Sequence, residues 1–248
     1  MAKLSVLIPA YRRHDMTVRH VAECLKSTRL PDEVIVVNDH GDTGLRDMLL
    51  KLQRSVPIIY VYVEQDITWG YNMVCNIGFW VSRGDIIALE DTDHVPSRDA
   101  YENGLKIFAE DPEVMRVKYR RHILQIGDFQ KPYEEWTSRK GIGANQMVSL
   151  FRRELYILLK GQDERFCGQY GYMASDFFNR ENNMLKSKTA LTTFYWAIFG
   201  VEGEPGLKRG MSPVNRRFYR ENSMAKTWQH PQGVLNCTYT FECLKPNI

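Results

Sequence analysis

Apolar positions in the first hundred residues alternate between two spacings. Residues 4–8 (LSVLI) form a short, mostly apolar run closed by Pro9, the pattern of a buried strand. Val18, Val21, Ala22 and Leu25 then recur at i, i+3, i+4 and i+7, which predicts a helix capped by Asp15. Residues 33–37 (EVIVV) are a second strand, stopped by the turn signal Asn38-Asp39-His40-Gly41. Leu45, Met48, Leu49 and Leu52 return to helical spacing. Residues 57–63 read as a third strand, 71–83 as a third helix and 85–89 as a fourth strand. Strands alternating with helices of this length imply parallel pairing with right-handed crossovers. Ligands of such open sheets sit beyond the carboxyl ends of the strands.

After Pro96 the regularity loosens. Ser97 is placed to cap a helix carrying Tyr101, Leu105 and Phe108, and strands are expected near 113–119, 122–126 and 146–151. Helical patterns cover 152–160 and 174–186. Residues 203–213 read as a loop, and the chain from Trp228 is polar and strand-poor apart from 234–235 and 239–241. With no internal repeat, low-complexity tract or long linker, the expectation is one α/β domain over 1–248 with two functional halves, 1–97 and 98–248.

Composition narrows the class. Hydrophobic residues make up 44% of the 248 and charged residues 25%, which excludes disordered and fibrous chains. No apolar run approaches the roughly 20 residues that span a bilayer. The first apolar run is too short for a signal peptide. Five cysteines form no metal-binding spacing, and their odd number fits a reducing cytosol, so a cytoplasmic protein is expected. Residues 1–97 carry 10 Lys+Arg against 13 Asp+Glu (net −3), and residues 98–248 carry 23 against 17 (net +6). The densest basic run, Arg116-Val117-Lys118-Tyr119-Arg120-Arg121-His122, could with Arg152-Arg153 and Arg216-Arg217 face a phosphorylated acceptor, a nucleic acid or an anionic membrane. Its alternation equally suits a strand with one solvated charged face.

The candidate chemistry collects where the predicted strands end: Pro9-Ala10-Tyr11, Asn38-Asp39 and Glu90-Asp91-Thr92-Asp93. Carboxylates two residues apart can reach one hard cation that still has room for phosphate oxygens. The same residues also suit an acidic turn. Four segments occur in order: 4–13 (LSVLIPAYRR), 33–41 (EVIVVNDHG), 70–78 (GYNMVCNIG) and 84–96 (GDIIALEDTDHVP). In spacing and residue type this series resembles the nucleotide-binding half of GT-A-fold glycosyltransferases, above all the family-2-like inverting group. A fainter likeness continues through Phe151-Arg152-Arg153, Gly161-Gln162-Asp163-Glu164-Arg165-Phe166 and Asp176-Phe177-Phe178-Asn179-Arg180, the acceptor side of such enzymes.

The resemblance implies a GT-A fold, a Rossmann-like and mostly parallel sheet flanked by helices, with a smaller acceptor-side sheet region. It implies a nucleotide-diphosphate sugar as donor, UDP-type among the expected nucleotides, and Mn²⁺ or Mg²⁺ as cofactor. Pro9, Ala10 and Tyr11 match the loop packing on base and ribose, Asp39 the aspartate bonding the base, and Arg13 and Asn76 further donor-site positions. Asp91 and Asp93 match the acidic motif for ribose and metal, and His230 a C-terminal histidine that some of these enzymes add to the metal shell. The acceptor hydroxyl is left open among a glycan, a lipid-linked sugar, a protein and a modified DNA base.

Two positions depart from the pattern. Where an arginine commonly precedes the asparagine of the third segment stands Cys75, so the diphosphate charge must rest on the metal and on Arg12, Arg13 or a cation of the basic half. Where the catalytic base is usually found, six residues before Arg180, stands Ala174. Asp176, Asp163 and Glu164 are the remaining candidates for the base. Asp176 could instead cap a helix starting near Phe177. Nucleotidyl transfer is the rival enzyme class, disfavoured because no glycine follows the first strand. A non-catalytic nucleotide-sugar or nucleic-acid binding module is the rival from outside enzymes.

Overall fold

A computed structural model describes residues 2–40, 43–138, 140–145, 147–199, 211–224 and 237–247. Strands β1 (Leu4–Ala10), β2 (Glu33–Asp39), β3 (Ile58–Val63) and β4 (Ile86–Leu89) pair in parallel in the order β3-β2-β1-β4. Their residues are mostly apolar on both sides because both faces are covered. Val34 and Val36 join Leu4, Val6 and Ile8 on one face, where α1 (His14–Cys24) and α2 (Gly44–Leu50) pack. Ile35 and Val37 join Leu7 on the other, under α3 (Tyr71–Val81). Gly78 lets α3 approach closely, since a Cβ there would meet Leu7 Cδ1 at 2.1 Å.

The second half extends this sheet rather than building a separate one. Its strands are β5 (His94–Pro96), β6 (Val114–Gln125), β7 (Gly141–Ile142), β8 (Ser149–Arg152), β9 (Lys188–Phe199) and β10 (Tyr239–Leu244). Together they complete a ten-stranded sheet in the order β10-β3-β2-β1-β4-β8-β6-β9-β5, with β7 on β6. β8 is antiparallel to β4 and β6, whereas β6 and β9 run parallel. Helices α4 (Ala100–Glu110), α5 (Ile126–Phe129), α6 (Arg153–Leu158), α7 (Met173–Arg180) and α8 (Pro213–Met224) flank it. A third apolar cluster, including Leu124, Phe129, Trp136 and Trp196, fills the far end of β6 and β9. The architecture is mixed α/β with the parallel central sheet that the sequence implies, and the pairings outside β3-β2-β1-β4 are mostly antiparallel.

Several local expectations are corrected. Asp15 does not cap α1; the helix starts at His14 with Arg13 at the cap position, and Asp15 lies in its first turn. Ser97 does not cap α4 either: Asp99 holds the cap position, and the Ser97 hydroxyl donates to Asp99 Oδ1 at 2.8 Å. The strands expected at 113–119 and 122–126 are one strand, β6, with a register irregularity at Tyr119/Arg120 absorbing the break in pattern. The helix expected over 174–186 is α7 followed by a π-helical turn, Glu181–Leu185. Asp176 is inside α7 rather than at its cap. β5, β9 and α8 are additions that the hydrophobic pattern missed. Residues 211–212 precede α8 as the loop reading expects, but 203–210 and 234–235 lie outside the described residues.

Candidate active site

The polar residues at the carboxyl ends of β1, β2 and β4 lie together because those strands are neighbours in parallel register. At the end of β4 successive side chains part ways. Glu90 turns inward and is fully buried, accepting hydrogen bonds from Tyr195 at 2.5 Å and Tyr101 at 2.9 Å, with His20 Nε2 2.7 Å from its other oxygen. This ties the strand end to α1, α4 and β9. The chain then folds back tightly, the His94 N–H donating to the Asp91 carbonyl at 2.9 Å.

Asp91 and Asp93 face outward on this anchored turn. Asp91 accepts from the Tyr71 hydroxyl at 2.6 Å and from Asn145 Nδ2 at 3.2 Å. Asp93 pairs with His94 Nδ1 at 2.7 Å and meets Arg13 Nη1 at 3.5 Å. Burial, reinforced by Asp93, pushes the Asp91 carboxyl above the ordinary range despite the bonds it accepts. Burial acts on Asp93 too, but the His94 contact and the Arg13 charge outweigh it and hold that carboxyl low. Ligand atoms of Asp91, Asp93 and His94 all lie within 4.8 Å of one another. Two hard oxygens and an imidazole fit Mn²⁺, and the carboxylates fit Mg²⁺ as well. His230 lies outside the described residues.

On the β1 side, Pro9 and Ala10 pair with Val37 and Asn38, and Tyr11 follows with the Arg12 guanidinium 5.0 Å over its ring. Asp39, at the end of β2, is 5% exposed and its Oδ1 has no hydrogen-bond partner among the described residues. Gly70 packs close beside it: a Cβ there would lie 3.0 Å from Asp39 Oδ2. Burial, with Asp66 nearby, pushes the Asp39 carboxyl up to about 7. The unfolded chain therefore releases this proton near pH 4 and the folded chain near pH 7, so stability from this group falls as pH rises through that window. Asp39→Asn is expected to flatten that slope, raising the melting temperature at pH 8 and leaving it little changed at pH 4. Parallel melting-temperature profiles for the two proteins would contradict it.

Cys75 lies against the Tyr71 hydroxyl, and burial together with Asp91 pushes its thiol well above the ordinary value. It brings no positive charge to the site. The next residue, Asn76, clasps α3 to the 161–166 segment. Its Nδ2 donates to the Gln162 carbonyl at 3.0 Å and to Glu164 Oε1 at 2.8 Å, and its Oδ1 accepts from Tyr156 at 2.6 Å.

The three candidate bases occupy unlike surroundings. Asp163 and Asp176 share Asn222 of α8, whose Nδ2 donates to Asp163 Oδ2 at 3.0 Å and Asp176 Oδ1 at 2.6 Å. Each also carries an arginine, Arg165 at 2.7 Å on Asp163 and Arg180 at 2.9 Å on Asp176. Burial is the larger influence on Asp176 and raises its carboxyl in spite of Arg180 and Asn222. Glu164 is instead held at Oε1 by the α3 amide of Asn76, on the donor side of the segment. Ala174 is half-buried against the apolar cluster under α3.

Tyr71, Asn145 and Asn222 escaped the sequence reading. Asn145 reaches Asp91 only because β7 pairs with β6, and nothing in its local sequence signals that contact. Asn222 lies on a helix with no apolar stripe to reveal it.

Comparison with known proteins agrees with this layout. The family model described as glycosyl transferase family 2 matches residues 5–187. An uncharacterized glycosyltransferase of Rickettsia bellii is 29% identical over 110 residues, covering 44% of this chain and 16% of that protein. The mannosyltransferase PcManGT from Pyrobaculum calidifontis, solved with GDP-Man and Mn²⁺, superposes with TM-score 0.58 at 20% identity, covering 82% of this chain and 58% of that one. S. aureus TarS residues 1–349, solved with UDP-GlcNAc, gives 0.63 at 15% identity, covering 89% and 66%. The chain thus spans less than two thirds of the length of each of these relatives. The two structural likenesses show a shared fold.

Proposed function

Because the chain belongs to glycosyl transferase family 2, we propose that it moves a sugar from a nucleoside diphosphate sugar to an acceptor hydroxyl, with inversion at the anomeric carbon. The observation that carries this reading is the convergence of Asp91, Asp93 and Arg13 at the ends of β4 and β1, with the buried Asp39 Oδ1, which has no hydrogen-bond partner among the described residues, at the end of β2. Asp39 accepts an N–H of the base, and Tyr11 offers the base or ribose a ring face.

Asp91 and Asp93, with the His94 imidazole, would hold a divalent cation such as Mn²⁺ or Mg²⁺, whose charge offsets that of the departing diphosphate. Tyr71 and Asn145 orient Asp91 through both of its oxygens, and His94 and Arg13 do so for Asp93.

Glu164 serves as the general base. It takes the proton of the acceptor hydroxyl as that oxygen bonds to the anomeric carbon, and the bond from that carbon to the diphosphate oxygen breaks with its electron pair. Asp163 and Asp176, each engaged at both oxygens, hold the segment that carries Glu164. A cytoplasmic setting belongs to the same reading, supported by five unbridged cysteines. Among the described residues no helix is long and apolar enough to cross a membrane. The reading is tested by whether a nucleoside diphosphate sugar raises the melting temperature, and whether it needs Mn²⁺ to do so.

A further inference from the structure

Charge around the Asp91–Asp93 turn does not balance for a diphosphate. Two carboxylates and a diphosphate together exceed a divalent cation plus Arg13; Arg13 is already drawn to Asp93, and the Arg12 guanidinium lies over the Tyr11 ring. The α3 residues facing this turn are Tyr71 and Cys75, neither of which carries positive charge.

A second guanidinium stands on the acceptor side, near enough for the charges of Asp91 and Asp93 to act on it. Arg121 of β6 pairs with Ile142 of β7, and its Nε donates to the Gly143 carbonyl at 2.6 Å. Two residues on, Asn145 donates to Asp91 Oδ2 at 3.2 Å and lies 3.4 Å from His94 Nε2. The segment whose Gly143 carbonyl pins Arg121 is therefore the one whose Asn145 side chain touches the metal turn. Burial lowers the Arg121 pKa, and the charges of Asp91 and Asp93 act on it in the opposite sense. Among the described residues no carboxylate forms an ion pair with it. Its neighbours in the basic run are placed otherwise: Arg116 is buried against Glu181 at 2.6 Å, and Arg120 points to solvent.

We propose that Arg121 is a donor-binding residue whose free guanidinium nitrogens grip the diphosphate oxygens from the side opposite Arg13. This rests on the nucleotide-sugar reading and adds a residue to it. A guanidinium fixed through Nε still presents its two terminal nitrogens in the planar fork that matches two phosphate oxygens.

The test is isothermal titration of the full chain with inorganic pyrophosphate and with UDP in Mn²⁺, comparing Arg121→Ala, Arg121→Gln and Arg121→Lys. The glutamine variant retains a side-chain donor for the Gly143 carbonyl without the charge, so it guards against simple misfolding of the alanine variant. Arg121→Ala and Arg121→Gln are expected to bind pyrophosphate and UDP about 10–100-fold more weakly, with Arg121→Lys between them and the wild type. Mn²⁺ alone should bind all four proteins equally. Unchanged pyrophosphate affinity in both uncharged variants, against a wild type that binds it, overturns the role of Arg121 alone. A wild type that binds neither pyrophosphate, UDP nor any nucleotide sugar overturns the functional reading and this inference with it.

Discussion

Asp93→Ala is expected to lower sugar transfer by about 10²–10⁴-fold at a fixed, moderate Mn²⁺ concentration while the protein still folds. A cation that offsets developing charge on a leaving group contributes several kcal/mol, and each 1.4 kcal/mol is a factor of ten in rate. Removing Asp93 deletes one of the two hard oxygens and releases both His94 and Arg13 from their shared partner. The side chain is partly exposed, so little packing is lost with it. The loss should shrink as Mn²⁺ is raised, because a weakened site refills by mass action. A rate equal to wild type at every Mn²⁺ concentration would remove Asp93 from the metal role.

Glu164→Gln is expected to cut transfer by about 10²–10⁴-fold, the usual span for loss of a general base, with donor affinity retained. The amide keeps an oxygen for the Asn76 donor, so the local clasp survives. Asp176→Asn should behave differently. It leaves the buried Arg180 without its ionic partner, and breaking a buried pair from one side costs about 3–5 kcal/mol, so its main effect is a lower melting temperature. The pair of variants separates the two roles. If Asp176→Asn abolished transfer at an unchanged melting temperature while Glu164→Gln was silent, the base would be Asp176. Ala174→Asp adds a further check, since a gain of comparable size there would show that a carboxylate at that place is what the chain lacks.

How far the sequence reveals this molecule depends on what each contact rests on. The parallel core was legible because both faces are buried, so β1, β2 and β4 are written as short, largely aliphatic runs followed by the candidate site residues. Asp39, Asp91 and Asp93 follow from those endings. β9 carried its signal in Thr192-Thr193-Phe194-Tyr195-Trp196, but its pairing partners, β6 and β5, lie far away in sequence, and no local rule assigns them. α8 has a different cause. It is held by Asn215, which donates to the carbonyls of Phe166, Gln169 and Gly171, and by Asn222 between two aspartates, so no apolar period marks it. Glu90 shows the opposite limit. It reads as one of a row of acidic residues, yet two tyrosines and a histidine from distant elements turn it into the anchor of the metal turn. Such contacts belong to tertiary structure alone.

The central claim is that Asp91 and Asp93 bind a nucleoside diphosphate sugar through a divalent cation. It is tested most directly by melting temperature across a panel of UDP- and GDP-sugars, each with Mn²⁺ and with excess chelator. Ligand at about 100 times its Kd stabilises the folded state by about 2.7 kcal/mol, which for a chain of this size is a rise of about 5–10 °C. That rise is expected for at least one nucleotide sugar with Mn²⁺, and it should vanish in chelator and in Asp91→Asn. A rise of the same size in chelator, or none with any nucleotide sugar in Mn²⁺, would contradict the claim.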